Sequence, residues 1–280
     1  MSRPATLHHF PQEDKLRAPR ATSQAPTVTL TALPGIPLVR PGDDLSALIL
    51  AGLASAGLAL ADRDVIVVGQ KIVSKAEGRL RNLAEVRPGE AAQRLARETE
   101  KDPRLVELVL EESRRVLRTR PGAIIVEHRL GFVCANAGID HSNVAGEDAG
   151  GGAWVLLLPE DPDASARGLR ERLRQATGAQ AAVLVIDSHG RAFRTGTVGV
   201  VIGASGFPCL VDLRGEEDLF GYRLRVTEVG LGDEVAAAAS MLMGQAAEGL
   251  PVVHVRGLEY PERDGSMAEL LRPAAKDLFR

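Results

Sequence analysis

The chain has 280 residues, 45% of them hydrophobic, a length and composition that suit one large domain or two small ones with a sizeable core. Its formal net charge of −3 and its aromatic content of 3% argue against an obligate nucleic-acid partner, which needs a basic surface and stacking side chains. Two widely separated cysteines and the absence of a long apolar run predict a reduced, cytoplasmic protein with no membrane partner.

The first residues differ in composition from the remainder of the chain. Residues 1–27 contain Pro, Ser, Gln and His without hydrophobic periodicity, and we interpret them as a disordered leader, with a transit peptide as the weaker alternative. Residues 28–280 then form the functional domain, which can comprise two lobes.

Strands and helices are predicted to mix along this domain. A Pro/Gly-broken extended segment (residues 33–44) ends in Asp43, the predicted cap of the first helix. Sequence patterns predict helices over residues 45–58, 89–98, 103–117 and 233–243, and a further helix that is capped by LPEDPDASAR (158–167) and extends to about residue 176. Apolar runs predict strands over residues 64–68, 123–126, 154–158, 181–186, 197–202, 224–229 and 252–255. Residues 70–75 are predicted to leave the first strand toward a polar turn at 77–79.

The order of these elements predicts the fold class. Strands and helices do not alternate in a strict βαβ rhythm, and neither a strand-following GxGxxG nor a GxxxxGK[ST] motif is present. We therefore expect an α/β fold of the mixed α+β kind, with mixed sheets and flanking helices, that is neither a Rossmann nor a P-loop fold.

Two stretches change from apolar to oxygen-bearing residues. Residues 126–144 (VEHRLGFVCANAGIDHSNV) place Asp140 and Asn143 after an apolar run, and residues 183–203 (VLVIDSHGRAFRTGTVGVVIG) do the same with Asp187 and Ser188. Such oxygens suit Mg²⁺ or Mn²⁺, which predicts one site assembled from two loops. The alternative is that Asp140 and Asn143 form turns and that Asp187 caps a helix.

Other polar residues near these stretches allow two interpretations each. Six basic residues would clamp phosphates if clustered, or lie singly on a solvated face: Lys71, Lys75, Arg79, Arg129, Arg191 and Arg194. Ser74–Lys75 could form a nucleophile pair, although nothing else indicates acyl-enzyme chemistry. Three histidines lack zinc-site spacing and are expected to form supporting hydrogen bonds or to be exposed: His128, His141 and His189. Cys134 is more typical of a small core residue than of a nucleophile.

Five segments in this order resemble the coenzyme F420-0:L-glutamate ligase family. They are QKIVSKAEGR (70–79), EHRLGFVCANAGID with SN (127–143), LLPEDPDASAR (157–167), DSHGR with FR (187–194), and VTEV through PVV (226–253). The resemblance extends from about residue 33 to residue 257, with no counterpart of the nitroreductase-like domain that is fused to some members, so we expect the stand-alone form.

The resemblance implies both an activity and an assembly. The implied activity is a GTP-dependent amide ligation that adds L-glutamate to F420-0 through an acyl phosphate and extends a γ-linked glutamate tail in F420 biosynthesis. The implied partners are F420-0, L-glutamate, GTP and two divalent cations (Mg²⁺ or Mn²⁺), with K⁺ as a further ion. The implied architecture is an intertwined homodimer.

The resemblance also implies roles for individual residues. Asp140 and Asp187 would bind the first cation, Ser188 and Gln245 would bind the second, and Asp140, Asp187 and Lys75 would carry catalysis. The implied GTP contacts are Ile36, Pro37, Leu38, Val39, Gln70, Lys71, Lys75, Asn143, Met243, Gly244, Gln245, Ala246, Ala247, Glu248, Gly249 and Leu250. The stretch from Gly244 to Gly249 has a simpler explanation, which is that a glycine caps the end of the preceding helix.

Two features depart from the family pattern, and two other functional classes stay open. Position 189 is His where Phe or Met is common, and residues 147–152 (EDAGGG) form an insertion near the site. The other classes are a related metal-dependent ligase or phosphoryl-transfer enzyme acting on a different carboxylate, and a non-catalytic nucleotide or deazaflavin binder. Retention of Asp140, Asp187, Ser188 and Gln245 argues against the binder.

Overall fold

The computed structural model describes residues 25–144 and 153–278. Its strands are β1 (Thr29–Ala32), β2 (Val65–Gly69), β3 (Leu80–Asn82), β4 (Ser113–Arg120), β5 (Ala123–His128), β6 (Val133–Ala135), β7 (Trp154–Leu156), β8 (Ala182–Arg191), β9 (Arg194–Ser205), β10 (Val211–Asp212), β11 (Glu228–Val229) and β12 (Val252–Arg256). Its α-helices are α1 (Leu45–Ser55), α2 (Gln70–Ala76), α3 (Glu90–Thr99), α4 (Pro103–Glu111), α5 (Pro162–Thr177) and α6 (Leu231–Met243). The leader prediction for residues 1–24 and the insertion at 147–152 lie outside the described residues.

The central sheet has the strand order β1-β12-β2-β8-β9. β2 and β8 run parallel, and the other three neighbouring pairs are antiparallel. Helices α1, α2 and α5 cover one face and α6 covers the other. Because both faces are covered, β2 and the first half of β8 (residues 182–186) are continuously apolar, and Val65 to Val68 are all 0% exposed.

A second sheet, β4-β5-β6, packs against α3 and α4 around a separate apolar cluster that contains Val106, Ile124 and Val126. A short β3–β7 pair, in which Leu80 opposes Leu156, adjoins it. The predicted mixed α/β class with mixed sheets and flanking helices is therefore confirmed. None of the described helices combines the length and apolarity needed to cross a membrane.

Three predicted segments differ in the structure. Residues 70–75 form helix α2, which follows β2 without a loop and is capped by the extended Gly69. The helix predicted over 103–117 ends at Glu111, because residues 113–120 pair with β5 as strand β4. The strand predicted over 224–229 is formed only at Glu228–Val229.

The prediction that Asp187 and Ser188 lie in a loop is also wrong. Asp187 and Ser188 lie inside β8, which continues to Arg191 and pairs with β9 across a two-residue turn, Ala192–Phe193. At the start of α1, Asp44 rather than Asp43 accepts hydrogen bonds from the backbone N–H groups of Ser46 and Ala47. Strand β1 is not predicted from the sequence, because it forms by pairing with β12 and no sequence pattern identifies that pairing.

Candidate active site

The site lies where β2 ends and β8 continues beyond it. The two strands are parallel, and Gly69, the last residue of β2, opposes Ile186 of β8. The next residues along the chain, Gln70 at the start of α2 and Asp187 within β8, are therefore brought to the same place.

Asp140 reaches this edge from the second sheet. After β6 the chain makes a tight turn in which Asn136 and Ala137 have left-handed φ values of 51° and 53°, and Gly138 then packs on Leu158. The backbone of Asp140 pairs with Leu156: its N–H donates to the Leu156 carbonyl at 3.0 Å, and its carbonyl accepts from the Leu156 N–H at 2.9 Å. The backbone position of Asp140 is thus fixed by β7.

The side chain of Asp140 is held by the first two residues of α2. Gln70 Nε2 donates to Asp140 Oδ2 at 2.6 Å, and Lys71 Nζ lies 3.3 Å from Asp140 Oδ1. Lys71 Nζ also donates to the carbonyl and hydroxyl oxygens of Ser142, each at 3.2 Å. One ammonium group therefore binds both the predicted ligand and its loop.

Asp187 is supported along its own strand. His189, on the same face of β8, places Nε2 3.0 Å from Asp187 Oδ2. His189 Nε2 is buried and has no other hydrogen-bond partner among the described residues. The His189 ring packs against Phe132 at a centroid distance of 5.2 Å, which fixes the orientation of the imidazole.

The two carboxyl groups differ in acidity. Burial, together with the negative charge of Asp187, raises the pKa of Asp140 from its ordinary 3.8 to about 6. Burial also opposes ionisation of Asp187, but the His189 imidazole and the Ser188 backbone N–H outweigh it, with help from Lys71, so the pKa of Asp187 falls below its usual range. At neutral pH the site therefore holds two adjacent negative charges.

These residues fit a divalent cation. The two partly buried carboxylates are the hard oxygen donors that Mg²⁺ and Mn²⁺ prefer, and Lys71 already supplies one positive charge there. Within residues 25–144 and 153–278 no cluster of three or more His, Cys, Asp or Glu has metal-binding geometry. A cation here would therefore also need hydroxyl, amide, water or phosphate oxygens.

The loop of residues 244–250 adjoins the Asp140 loop. Asn143 Nδ2 donates to the Ala246 carbonyl oxygen at 2.9 Å, and Glu248 Oε2 accepts from the Ala246 N–H at 2.8 Å. Gly244, at φ 71° and ψ −175°, ends α6 in a conformation that favours glycine. Asn143 is thus placed beside the predicted nucleotide loop, as the resemblance implies, and Gln245 is exposed within that loop.

Ser188 lies on a different face from Asp187. Side chains alternate along a strand, and Ser188 opposes Gly199, the residue on which α6 is seated. The structure therefore groups Asp140 with Asp187 and places Ser188 on the side of the sheet where α6 leads into Gln245. The cation-binding roles that the resemblance implies for Asp140, Asp187, Ser188 and Gln245 stay predictions.

The other predicted contacts are distributed around this edge. Lys75 is half-buried one helical turn after Lys71, and its pKa is lowered by burial and by the charge of Lys71. In the segment from Ile36 to Val39, Ile36 packs against α1, Val39 is buried and Leu38 is 88% exposed. The Gly42 N–H then donates to the Ala76 carbonyl at 2.9 Å, which joins this segment to the end of α2.

Several basic residues from the predicted phosphate clamp are used elsewhere. Arg79 and Arg129 each contact Glu112, at 3.0 and 2.8 Å, and Arg191 and Arg194 are exposed at the hairpin tip. Glu112 was not singled out in the sequence, because its partners are 33 and 17 positions away along the chain.

The buried Cys134 behaves as predicted for a core residue. Burial, with a contribution from the charge of Asp187, raises the pKa of its thiol to about 12. The thiol therefore stays protonated, and it is not a nucleophile.

Two carboxylates, Asp140 and Asp187, and the α2 lysines Lys71 and Lys75 lie together where α2 leaves the end of β2. The model of the F420-0:Gamma-glutamyl ligase family matches residues 35–257. The chain is 46% identical to the coenzyme F420:L-glutamate ligases of Methanothermobacter thermautotrophicus (90% of this chain and 99% of the relative) and Methanopyrus kandleri (91% and 98%). It is 44% identical to that of Archaeoglobus fulgidus (88% and 94%). The chain belongs to the F420-0:gamma-glutamyl ligase family.

Proposed function

We propose that the protein is a GTP-dependent ligase that joins L-glutamate to coenzyme F420-0 and then extends a γ-linked glutamate tail. One observation carries the proposal: in a chain 46% identical to named F420:L-glutamate ligases, Asp140, Asp187 and Lys71 meet at one edge of the sheet. That edge combines the charges needed to hold a nucleotide, a cation and a carboxylate substrate.

The proposed chemistry proceeds in two transfers. The substrate carboxylate attacks the γ-phosphorus of GTP, forming an acyl phosphate and releasing GDP. The amine of glutamate then attacks the acyl carbon, forming the amide bond, expelling inorganic phosphate and losing one proton. Activation is needed because an unactivated carboxylate would have to expel oxide.

The residues of the site serve this reaction by binding and neutralising charge. Asp140 and Asp187 would hold the first cation, and Ser188 with Gln245 would hold the second. When bound, the cations neutralise phosphate charge as it redistributes. Lys71 and Lys75 add positive charge, and the pKa of Lys75 is lowered by burial and, to a smaller extent, by the neighbouring charge of Lys71.

The remaining contacts surround the proposed nucleotide site. Asn143 and the loop of residues 244–250 are joined by a hydrogen bond, and the segment from Ile36 to Val39 is connected to the end of α2. We propose that these elements contact GTP, that K⁺ serves as a further ion, and that the active form is a homodimer.

Mass spectrometry tests the reaction directly. The protein is incubated with F420-0, GTP, L-glutamate and Mg²⁺ or Mn²⁺, alongside an Asp187→Asn variant whose folding is verified by circular dichroism. Mass increments of one or more glutamyl units that Asp187→Asn abolishes are the expected result. Full activity of Asp187→Asn at saturating Mg²⁺ would remove Asp187 from the mechanism. Metal-dependent GDP release with another carboxylate, but not with F420-0, would show that F420-0 is not the substrate.

A further inference from the structure

Gln70 and Ser74 form a buried polar chain that ends on Asp140. Both residues lie on α2, one helical turn apart, and they are 1% and 0% exposed. Ser74 Oγ lies 2.9 Å from Gln70 Oε1, and Gln70 Nε2 lies 2.6 Å from Asp140 Oδ2. Buried polar side chains need hydrogen-bond partners, and these two provide them for each other and for Asp140.

The chemistry of the groups fixes the direction of each hydrogen bond. An ionised carboxylate only accepts, so the amide nitrogen of Gln70 must face Asp140. The amide oxygen then faces Ser74, whose hydroxyl must donate to it. Ser74 is committed to this bond and is not a nucleophile, although it is followed by a lysine.

We propose that Gln70 is a positioning residue that orients the Asp140 carboxylate for a cation, and that Ser74 locks the Gln70 amide in the orientation this requires. The side chain of Gln70 is buried and both ends of its amide are engaged, so the amide contributes through Asp140, and the GTP contact that the resemblance implies for residue 70 stays a separate prediction. The inference rests on the proposed function only in taking Asp140 as a cation ligand.

The physical gain is pre-organisation. Asp140 stands on a loop of the second sheet, whereas Asp187 stands on β8 of the central sheet. The Gln70 hydrogen bond connects the Asp140 carboxylate to α2, which continues directly from β2, the neighbour of β8. Partners that orient a metal-binding carboxylate typically contribute a factor of about 10–100 to metal affinity.

A Mn²⁺ titration followed by electron paramagnetic resonance, with Mn²⁺ alone as the probe, tests the inference on the full chain. We expect Gln70→Met to raise the Kd for Mn²⁺ about tenfold and Ser74→Ala to raise it about fivefold. Matched controls are Gln93→Met and Ser55→Ala, which remove exposed side chains from α3 and α1; both should leave the Kd unchanged.

A double-mutant cycle distinguishes positioning from independent binding or plain stabilisation. If Gln70 acts through Asp140, adding Gln70→Met to Asp140→Asn causes no further loss of Mn²⁺ affinity, and Tm values measured in parallel correct for stability. Additive losses, or an unchanged Kd in both Gln70→Met and Ser74→Ala, would overturn the inference and leave the ligase proposal standing. Wild-type protein that binds no Mn²⁺ would overturn the inference alone, because the ligase proposal is tested separately by the mass of the product.

Discussion

At the scale of single residues, Asp140 and Asp187 illustrate how one site gives two carboxyl groups different properties. Asp187 has a neighbouring imidazole and a backbone N–H to stabilise its charge, whereas Asp140 relies on Gln70 and Lys71 and faces the charge of Asp187. The proton that competes with a cation in this site is therefore held by Asp140.

Removing the charge of Asp140 should stabilise the metal-free protein. Its pKa is raised from 3.8 to about 6, so the folded chain holds this proton more tightly than the unfolded chain, and stability is lost as pH rises through that window. At about 1.4 kcal/mol per pKa unit, Asp140→Asn should gain up to roughly 3 kcal/mol near pH 7.5 and almost nothing below about pH 4. Asn retains an oxygen that can accept the Gln70 hydrogen bond.

Thermal denaturation of EDTA-treated protein at the two pH values measures this effect. Added Mn²⁺ should raise the Tm of the wild type more than that of Asp140→Asn, because a ligand stabilises only the state that binds it. A Tm for Asp140→Asn that is lower than the wild-type value at pH 7.5 would show that the carboxylate is not destabilising.

Sequence patterns predict the residues of this site better than they predict its geometry. Asp140, Asn143, Asp187 and Lys71 stand out because oxygen-bearing and basic residues at strand ends serve no packing purpose. The bond between Gln70 and Asp140 joins residues 70 positions apart and depends on which strands are neighbours. Local spacing carries no information about that arrangement.

At the scale of secondary-structure elements, the β8–β9 hairpin supports α6 through a glycine. A Cβ at Gly199 would overlap the Ala236 carbonyl oxygen and lie 2.7 Å from Ser240 Cβ. The α6 backbone therefore lies directly on the strand, and the helix leads into the loop of residues 244–250.

A methyl group at this position should displace α6. We expect Gly199→Ala to lower the free energy of unfolding by about 1–3 kcal/mol, as for other overpacked sites, measured by urea denaturation. Gly190→Ala is the matched control on the same hairpin: a Cβ there meets nothing within 4 Å, so its effect should stay within about 0.5 kcal/mol. Equal effects at the two positions would show that α6 can move away from the strand without lowering the free energy of unfolding.

Glu112 joins the end of α4 to β5 and to the turn after α2. Its carboxylate contacts Arg79 and Arg129 and lies 3.6 Å from Nε2 of the fully buried His128. Burial opposes the charge, but these three neighbours outweigh it and lower the pKa of Glu112 to about 2. Since His128 Nδ1 accepts from the Leu130 N–H at 3.0 Å, the neutral imidazole carries its proton on Nε2, facing Glu112.

Neutralising Glu112 should therefore be costly. Glu112→Gln leaves the largely buried guanidinium of Arg79 without its counter-charge, and we expect a loss on the order of 3 kcal/mol at neutral pH. The loss should vanish as pH falls toward 2, where the wild-type carboxylate also protonates. Glu111→Gln, at the exposed neighbouring position, is the control. Chemical denaturation of the wild type and both variants across this pH range measures the loss.

The predicted boundaries of helices and strands are wrong where pairing with a distant strand overrides the local preference of the sequence. Helix α2 has 7 residues and follows β2 directly, too short a run to display helical periodicity. The helix predicted over residues 103–117 extends too far, because residues 113–117 belong to strand β4 and pair with β5. The long helices α5 and α6 were predicted well, since their spacing and caps are local properties.

At the scale of the whole molecule, the end of the central sheet remote from the site is joined by an ionic cluster. Asp64, 2% exposed, lies 2.8 Å from His254 Nε2 and accepts from Arg256 at 2.8 and 2.6 Å. Burial opposes its charge, but the bonds from Arg256 and His254 outweigh it, so the pKa of Asp64 is lowered. The cluster joins the start of β2 to the end of β12.

Removing the charge of Asp64 should lower the free energy of unfolding without changing the catalytic rate. We expect Asp64→Asn to lose roughly 3 kcal/mol above pH 4, a fall in Tm of roughly 5–10 °C, while kcat at 25 °C stays near the wild-type value. Asp62→Asn, an exposed neighbour that accepts one hydrogen bond from the Gln180 N–H, should cost less than about 1 kcal/mol. A large fall in kcat for Asp64→Asn in folded protein would contradict this separation of roles.

The position of β12 bears on the order in which the molecule can assemble during synthesis. β12 is the last strand in the described chain, yet it lies inside the central sheet, between β1 and β2. Until residues 252–256 leave the ribosome, β1 has no strand to pair with and β2 lacks one neighbour. The nascent chain therefore carries an incomplete sheet with exposed edges through most of its translation, and a functional site is gained in the final step rather than by gradual addition.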